Sequence, residues 1–299
     1  HMPARQLYSV SLLVGLPIGG GTDIGSTEGF VADENGVLTA YNGEGGEIAI
    51  PAKVGDVDVT GIDGKIFNEK KQELTKVTIL ANITEISDSL FRGCANLEKV
   101  VFPESLTTIG SNAFSGCTKL ANVEFPENLE KISSYAFQEC TSLTSIHFPL
   151  KTNFINEESF SFCTALESIT FEDGENFQEC GLSKRAFEGC TSLTSVVLSA
   201  ERYVSVAGGA FWGCTSLTEF KLAGDSSHCV VYDGCLYKDI VLSFEEGPKK
   251  ELAACPAGKT NVEFLPGVTY IGGSAFAGCT KLTSVEIDRK STPLNSRHL

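Results

Sequence analysis

The chain of 299 residues is poor in the groups that most enzyme chemistry depends on. It has four His, one Trp and one Met, and two of the histidines, His1 and His298, stand near the ends. No His-Glu-x-x-His, Gly-x-Ser-x-Gly or Walker phosphate loop occurs. Residues 19–25 (Gly-Gly-Gly-Thr-Asp-Ile-Gly) share glycine content with a phosphate-binding turn but lack the strand–helix setting that such a turn needs. Catalysis requires a converging acid and base. His147 falls on an outward strand position, and the many carboxylates, Glu124 and Glu127 among them, have no named partner. The chain therefore reads as non-enzymatic, with no cofactor and no metal.

Positive charge is also scarce. Lys and Arg number 23 against 38 Asp and Glu, a formal net charge of -15. That balance excludes a general nucleic-acid binder, which needs a basic footprint, and disfavours an electrostatic hold on anionic lipid. No stretch approaches the roughly 18 uninterrupted apolar residues of a membrane-spanning helix. The apolar run at residues 7–18 is too short to span. It reads as a short strand or frayed flank, or as the remnant of a signal peptide, although no Ala-x-Ala cleavage site follows it. At the other end, residues 288–298 (Asp-Arg-Lys-Ser-Thr-Pro-Leu-Asn-Ser-Arg-His) closely resemble the string that a common sequencing adapter encodes in one frame. Residues 288–299 are therefore expected to be read-through rather than protein, and 1–29 to be a flank.

What is abundant is Phe, Gly and Cys, at 19, 30 and 11 residues, and they recur in register. Phe67, Phe91, Phe114, Phe137, Phe160, Phe187, Phe211 and Phe276 each follow an aliphatic residue by five positions, Ile109 before Phe114 for example. Three residues after all but the first stands a cysteine: Cys94, Cys117, Cys140, Cys163, Cys190, Cys214 and Cys279. Three further on stands Leu, as in Leu97, Leu120 and Leu143. Successive cysteines lie 23, 23, 23, 27 and 24 residues apart, then 65. A unit this short cannot bury its own apolar face, so units must stack around a shared core. Within each unit Val-x-Phe, as in Val123 and Phe125, alternates as a strand does, and Pro103, Pro126 and Pro149 stop it. The Ile-x-x-x-Ala-Phe portion predicts a turn or second short strand on the opposite side. The phenylalanines should then form a ladder.

The phrase Gly189-Cys190-Thr191-Ser192-Leu193-Thr194-Ser195-Val196, with the Ala-Phe and Ile-Gly elements, resembles the BspA-type leucine-rich repeat of bacterial and protist surface proteins. The resemblance covers residues 30–287. It implies a right-handed leucine-rich repeat solenoid, an α/β-type repeat fold that is mostly β, of about eight units. Strands around Phe30, Val37 and Ile48 would cap its N-terminal end, with Asn35-Gly36 as a hairpin turn. The 65-residue gap holds Val230-Val231-Tyr232, Asp233-Gly234 and Cys235-Leu236-Tyr237, which read as a hairpin. Residues 225–266 are expected to form an insertion in one domain; a hinge between two solenoid blocks is the alternative. The resemblance further implies an exported, cell-surface or extracellular module that adheres to host or neighbouring-cell proteins. A structural spacer displaying another domain and an intracellular scaffold are the competing readings.

Seven cysteines at one repeat position read as a ladder of small buried thiols. Stacked Cβ vectors run parallel, which opposes the disulfide dihedral, and none has a Cys-x2-4-Cys partner for zinc. A bridge between Cys229 and Cys235 across the hairpin stays open. With Leu, Val and Phe inward, the residue between the last two points out. That row is Thr78, Val101, Glu124, His147, Thr170, Val197, Lys221 and Glu286, and it is the expected contact surface for an extended protein ligand. Phe162, Tyr203 and Trp212 are aromatic residues off the ladder; Trp212 is read as packing locally or as anchoring a partner.

Overall fold

The computed structural model describes residues 26–174, 179–226, 229–240 and 249–286. The readings made for residues 1–25 and for the 288–299 tail lie outside the described residues. The chain winds as a solenoid of short parallel strands. One 3-10 turn, Asn68–Lys70, interrupts the β pattern, and no α-helix occurs among the described residues.

Two rows of parallel strands, one on each side, line the solenoid. The face sheet begins with Gly46–Ile50, Leu74–Ile79 and Lys99–Val101, and resumes with Ser145–Phe148, Ser168–Phe171, Ser195–Leu198 and Phe220–Leu222. It ends with Asn261–Glu263 and Ser284–Glu286. The back sheet is a six-stranded parallel ladder from Glu85–Ile86 through Thr108–Ile109, Lys131–Ile132, Phe154–Ile155 and Cys180–Leu182 to Val204–Val206. The N-terminal cap is built from the predicted strands around Phe30 and Val37, whereas the strand around Ile48, expected in the cap, is instead the first parallel strand of the face sheet. Phe30–Ala32 pairs antiparallel with Val37–Tyr41 around Gly36, and Phe30, Tyr41 and Phe67 close the core end with their rings.

Between the sheets the ladder phenylalanines stack. From Phe67 to Phe211, successive ring centroids are 5.0–5.4 Å apart and nearly parallel. Five of the seven ladder thiols share one task. Cys117 Sγ donates to the Phe91 carbonyl at 3.2 Å, and Cys140, Cys163, Cys190 and Cys214 repeat the bond to the phenylalanine one unit back. The thiol thus fills a small apolar site and ties adjacent turns, a second role that composition alone does not reveal. All eleven cysteines are free. The Cys229–Cys235 bridge is not formed, because the hairpin register sets Cys229 opposite Lys238 and Cys235 opposite Tyr232.

Two positions per turn take positive φ. Two residues before the ladder Phe stand Ser89, Asn112, Tyr135, Glu158 and Arg185, with φ of 52–61°. Two residues after it, Gly93, Gly116, Gly189, Gly213 and Gly278 have φ of 70–80°. This explains the Gly-Cys phrase, since only glycine enters this region without steric cost. Glu139 and Phe162 occupy the same position with φ of 59° and 60°. Phe162 is 42% exposed, and its ring covers Gly189.

The long gap between Cys214 and Cys279 contains a disguised unit. Lys249–Ala254 runs parallel to Val268–Ile271 with Leu252 opposite Ile271, and Val262 stands opposite Val285 in the face sheet. Cys255 takes the place of a ladder phenylalanine. Its N–H donates to Ala275 at 2.7 Å, as Phe187 donates to Ala210 at 2.8 Å, and its carbonyl accepts the Cys279 thiol at 3.5 Å. The Phe stack therefore stops at Phe211, and Phe276 meets Phe264 edge-on at 6.3 Å instead. The hairpin Cys229–Tyr232 and Cys235–Ile240 precedes this unit. Its tip sits beside the face sheet, where Phe220 donates to Gly234 at 2.9 Å and Glu263 donates to the Asp233 carboxylate at 2.8 Å.

Candidate interaction face

The face strands place the outward row in register. Thr78 lies beside Val101; His147, Thr170, Val197 and Lys221 follow one another across three parallel strand pairs. Glu124 lies between the two groups, in a segment whose strand pairing is the single Asn122–Ser145 bridge and whose Phe125 ring stacks between Phe102 and Phe148. Alternation produces this directly. Ile146, Ile169, Val196 and Phe220 are buried beneath, and the residues after them turn outward. Val101, Glu124, His147 and Lys221 are exposed, while Thr170 and Val197 are half-buried. Thr78 differs from expectation: it is buried at 9% exposure, so its side chain is not presented. The backbone of Glu286 pairs with Glu263.

Glu263 is the outward residue that sequence reasoning missed. It fills the row between Lys221 and Glu286, on the strand of the disguised unit. The phrase Val262-Glu263-Phe264-Leu265-Pro266 follows the Val-x-Phe pattern. It was hidden because no Phe-x-x-Cys precedes it.

The row is mixed polar and aliphatic, and a few polar contacts lie on it and beside it. His147 Nδ1 and Thr170 Oγ1 are 2.9 Å apart, Lys221 pairs with Glu219 at 3.0 Å, and Lys76 pairs with Glu47 at 3.1 Å. These exposed pairs contribute about 0–1 kcal/mol each to stability; their consequence is a charge pattern. Nothing on the face converges as an acid and base would. Among the described residues no group of three or more His, Cys, Asp or Glu could hold a metal ion, and no helix is long and apolar enough to cross a membrane. Burial makes two of the thiols poor nucleophiles, pushing Cys94 up to about 12 and Cys180 up to about 12. Off the face, on the turn edge, Trp212 is 45% exposed and the Arg185 guanidinium lies 5.6 Å from its ring centroid. Tyr203 is half-buried beside the back sheet.

Two stacked parallel sheets with a repeating Leu, Phe and Cys core define a leucine-rich repeat solenoid. The model of the BspA type leucine rich repeat region matches residues 60–181, 155–239 and 251–298, in six copies. The chain belongs to the BspA-type leucine-rich repeat family.

Solved structures agree in fold. A leucine rich cell surface protein from Faecalibacterium prausnitzii superposes with a TM-score of 0.65 at 27% identity, over 86% of this chain and 67% of that one. The pneumococcal vaccine antigen PcpA gives 0.51 at 17% identity, over 90% and 66%. A leucine-rich repeat protein from Eubacterium ventriosum gives 0.50 at 19%, over 88% and 58%, so this chain spans little more than half of that protein. A comparison with curated proteins finds no match.

Proposed function

We propose that the chain is the non-enzymatic, protein-binding repeat module of an exported cell-surface protein, and that it mediates adhesion to host or neighbouring-cell proteins. The observation that carries this reading is the outward row on the face sheet. Val101, His147, Thr170, Val197 and Lys221 stand unit by unit on parallel strands, with Glu124 in the unit between Val101 and His147. Side chains at fixed spacing on stacked repeats suit an extended protein surface better than a small molecule. Membership of a family of repeat modules supports the same use, as does likeness to a protein described as a leucine rich cell surface protein. The expected localisation is extracellular, with no nucleic-acid partner.

The test is surface labelling. Antibody raised against the chain should stain intact cells of the source organism, and the purified chain should capture a protein from an array of host and bacterial extracellular proteins. Staining that appears only after permeabilisation would overturn the surface role.

A further inference from the structure

Three cysteines meet where the hairpin joins the disguised unit. Cys235 opens the second hairpin strand, Cys255 follows the end of Lys249–Ala254, and Cys279 belongs to the last unit. The antiparallel register sets Leu236 opposite Ala254, and carried one residue further it sets Cys235 opposite Cys255. Burial alternates accordingly. Leu236 and Ala254 pack in the main core, whereas Cys235 and Cys255 turn to the other face and pack in a smaller cluster with Tyr237, Leu252 and Phe264. Cys255 N–H donates to the Ala275 carbonyl rather than across to the hairpin. The two cysteines thus form a cross-strand pair without backbone bonds between them. In such pairs the Cα atoms approach to about 4.5 Å, within disulfide reach.

This setting differs from the ladder. Ladder thiols repeat at one position of a parallel stack, and their Cβ vectors run side by side, which opposes the disulfide dihedral. Cys235 and Cys255 instead face each other across antiparallel strands, with their thiols hydrogen-bonded. Cys279 adds access. It is the one cysteine that is not fully buried. Its thiol donates to the Cys255 carbonyl at 3.5 Å and the Pro256 carbonyl at 3.6 Å, and it touches the Cys255 thiol. That contact holds Cys279 below the ordinary thiol value, while Cys255 is raised, first by its bond with Cys235. The thiolate is the nucleophile in thiol–disulfide exchange. The more readily ionised sulfur is therefore the accessible one, and the protonated pair lies behind it. Among the described residues these thiols do not converge as ligands of one metal ion would.

We propose that Cys235, Cys255 and Cys279 are a thiol–disulfide exchange site, in which Cys279 takes a disulfide from a low-molecular-weight donor and passes it inward to become a Cys235–Cys255 bridge. The Cys279 sulfur attacks the donor RSSR, a Cys279–SR bond forms, and one RS⁻ leaves. The Cys255 sulfur then attacks the Cys279 sulfur, a Cys255–Cys279 bond forms, and the second RS⁻ leaves. Finally the Cys235 sulfur attacks Cys255, the Cys235–Cys255 bond forms, and Cys279 regains its thiol. Two protein thiols are oxidised, and the donor gains two electrons to become two RSH, which carry the two thiol protons. The bridge fastens the hairpin, whose tip lies beside the face sheet, to the disguised unit. It is the bonded form in oxidising surroundings and opens in reducing ones.

The probe is oxidised glutathione, mixed with the full, reduced chain at mildly alkaline pH without denaturant. Samples are quenched with acid, the remaining thiols are alkylated, and digests are mapped by mass spectrometry. The expected result is loss of two of the eleven thiols, glutathione on Cys279 at early times, and a Cys235–Cys255 cross-link as the end product. Cys279→Ser should form the same bridge at least tenfold more slowly, and Cys235→Ala should stop at Cys255–Cys279; thermal melts check that both variants fold. If a variant does not fold, the map of the unaltered chain decides alone. No thiol loss, glutathione first on any other cysteine, or an end product other than Cys235–Cys255 overturns the proposal. So does a folded Cys279→Ser chain that forms the bridge at the unaltered rate.

Discussion

Replacing Phe137 by Ala tests the stacked core at its most constrained rung. Phe137 is fully buried, with Phe114 at 5.0 Å and 7° on one side and Phe160 at 5.1 Å and 1° on the other. Phe125 adds an edge contact at 5.7 Å. Truncating a buried Phe costs about 3–5 kcal/mol, and aromatic pairs contribute about 0.5–1.5 kcal/mol each beyond burial. Three ring contacts are lost and the paired strands above and below hold the cavity open, so about 4–5 kcal/mol is expected. Phe276 provides the comparison. It is half-buried and meets only the edge of Phe264 at 6.3 Å, so Phe276→Ala should cost about 1–2 kcal/mol. Urea denaturation followed by circular dichroism measures both. Because repeat arrays couple through nearest neighbours, the interior lesion should also lower the m-value as the two halves begin to unfold separately. A Phe137→Ala cost below about 2 kcal/mol, or one no greater than that of Phe276→Ala, would refute a core in which each rung is held by its neighbours.

Three further outcomes follow from local features. Glu139→Gly should stabilise the chain by about 1 kcal/mol in thermal melts, because Glu139 holds φ of 59° where five other units, the preceding one among them, place glycine. Arg202→Ala should destabilise by about 3 kcal/mol in the same assay: its guanidinium is buried at 1% exposure and donates to the Thr152 carbonyl and, at 2.8 Å, to Asn153 Oδ1, which would lose their donor. Burial raises the thiols of Cys94, Cys117, Cys140, Cys180 and Cys190. Above the ordinary thiol value the unfolded chain loses protons that the folded chain keeps, so their stabilisation is complete below about pH 8.5 and declines above it, by about 1.4 kcal/mol per pH unit for each thiol. Urea midpoints measured from pH 7 to 10 check this; an unchanged midpoint contradicts it.

The repeat made most of this fold legible. Alternation around Val123 and Phe125, the Phe-x-x-Cys register and the Asn35-Gly36 turn are each local, and each copy reinforces the next. The hairpin was legible for the same reason, from two β-rich runs around Asp233-Gly234. The failures are where copies degenerate. Cys255 stands in a phenylalanine's place with no similarity to it, because the core there needs only a small apolar group between shortened turns. Glu263 was lost with it. The burial of Thr78 and the buried Arg202 were invisible because both depend on packing between units rather than on position within one.

The central claim is that the outward row is the working surface. The most direct measurement compares capture of the strongest partner on an extracellular protein array by three forms of the full chain: unaltered, His147→Asp/Thr170→Lys/Lys221→Glu on the face, and Phe154→Ser on the back sheet, where Phe154 is 58% exposed. All three should melt alike. The account predicts at least tenfold weaker capture by the face variant and unchanged capture by the back-sheet variant. Unchanged capture by the face variant, or loss in the back-sheet variant alone, would contradict it.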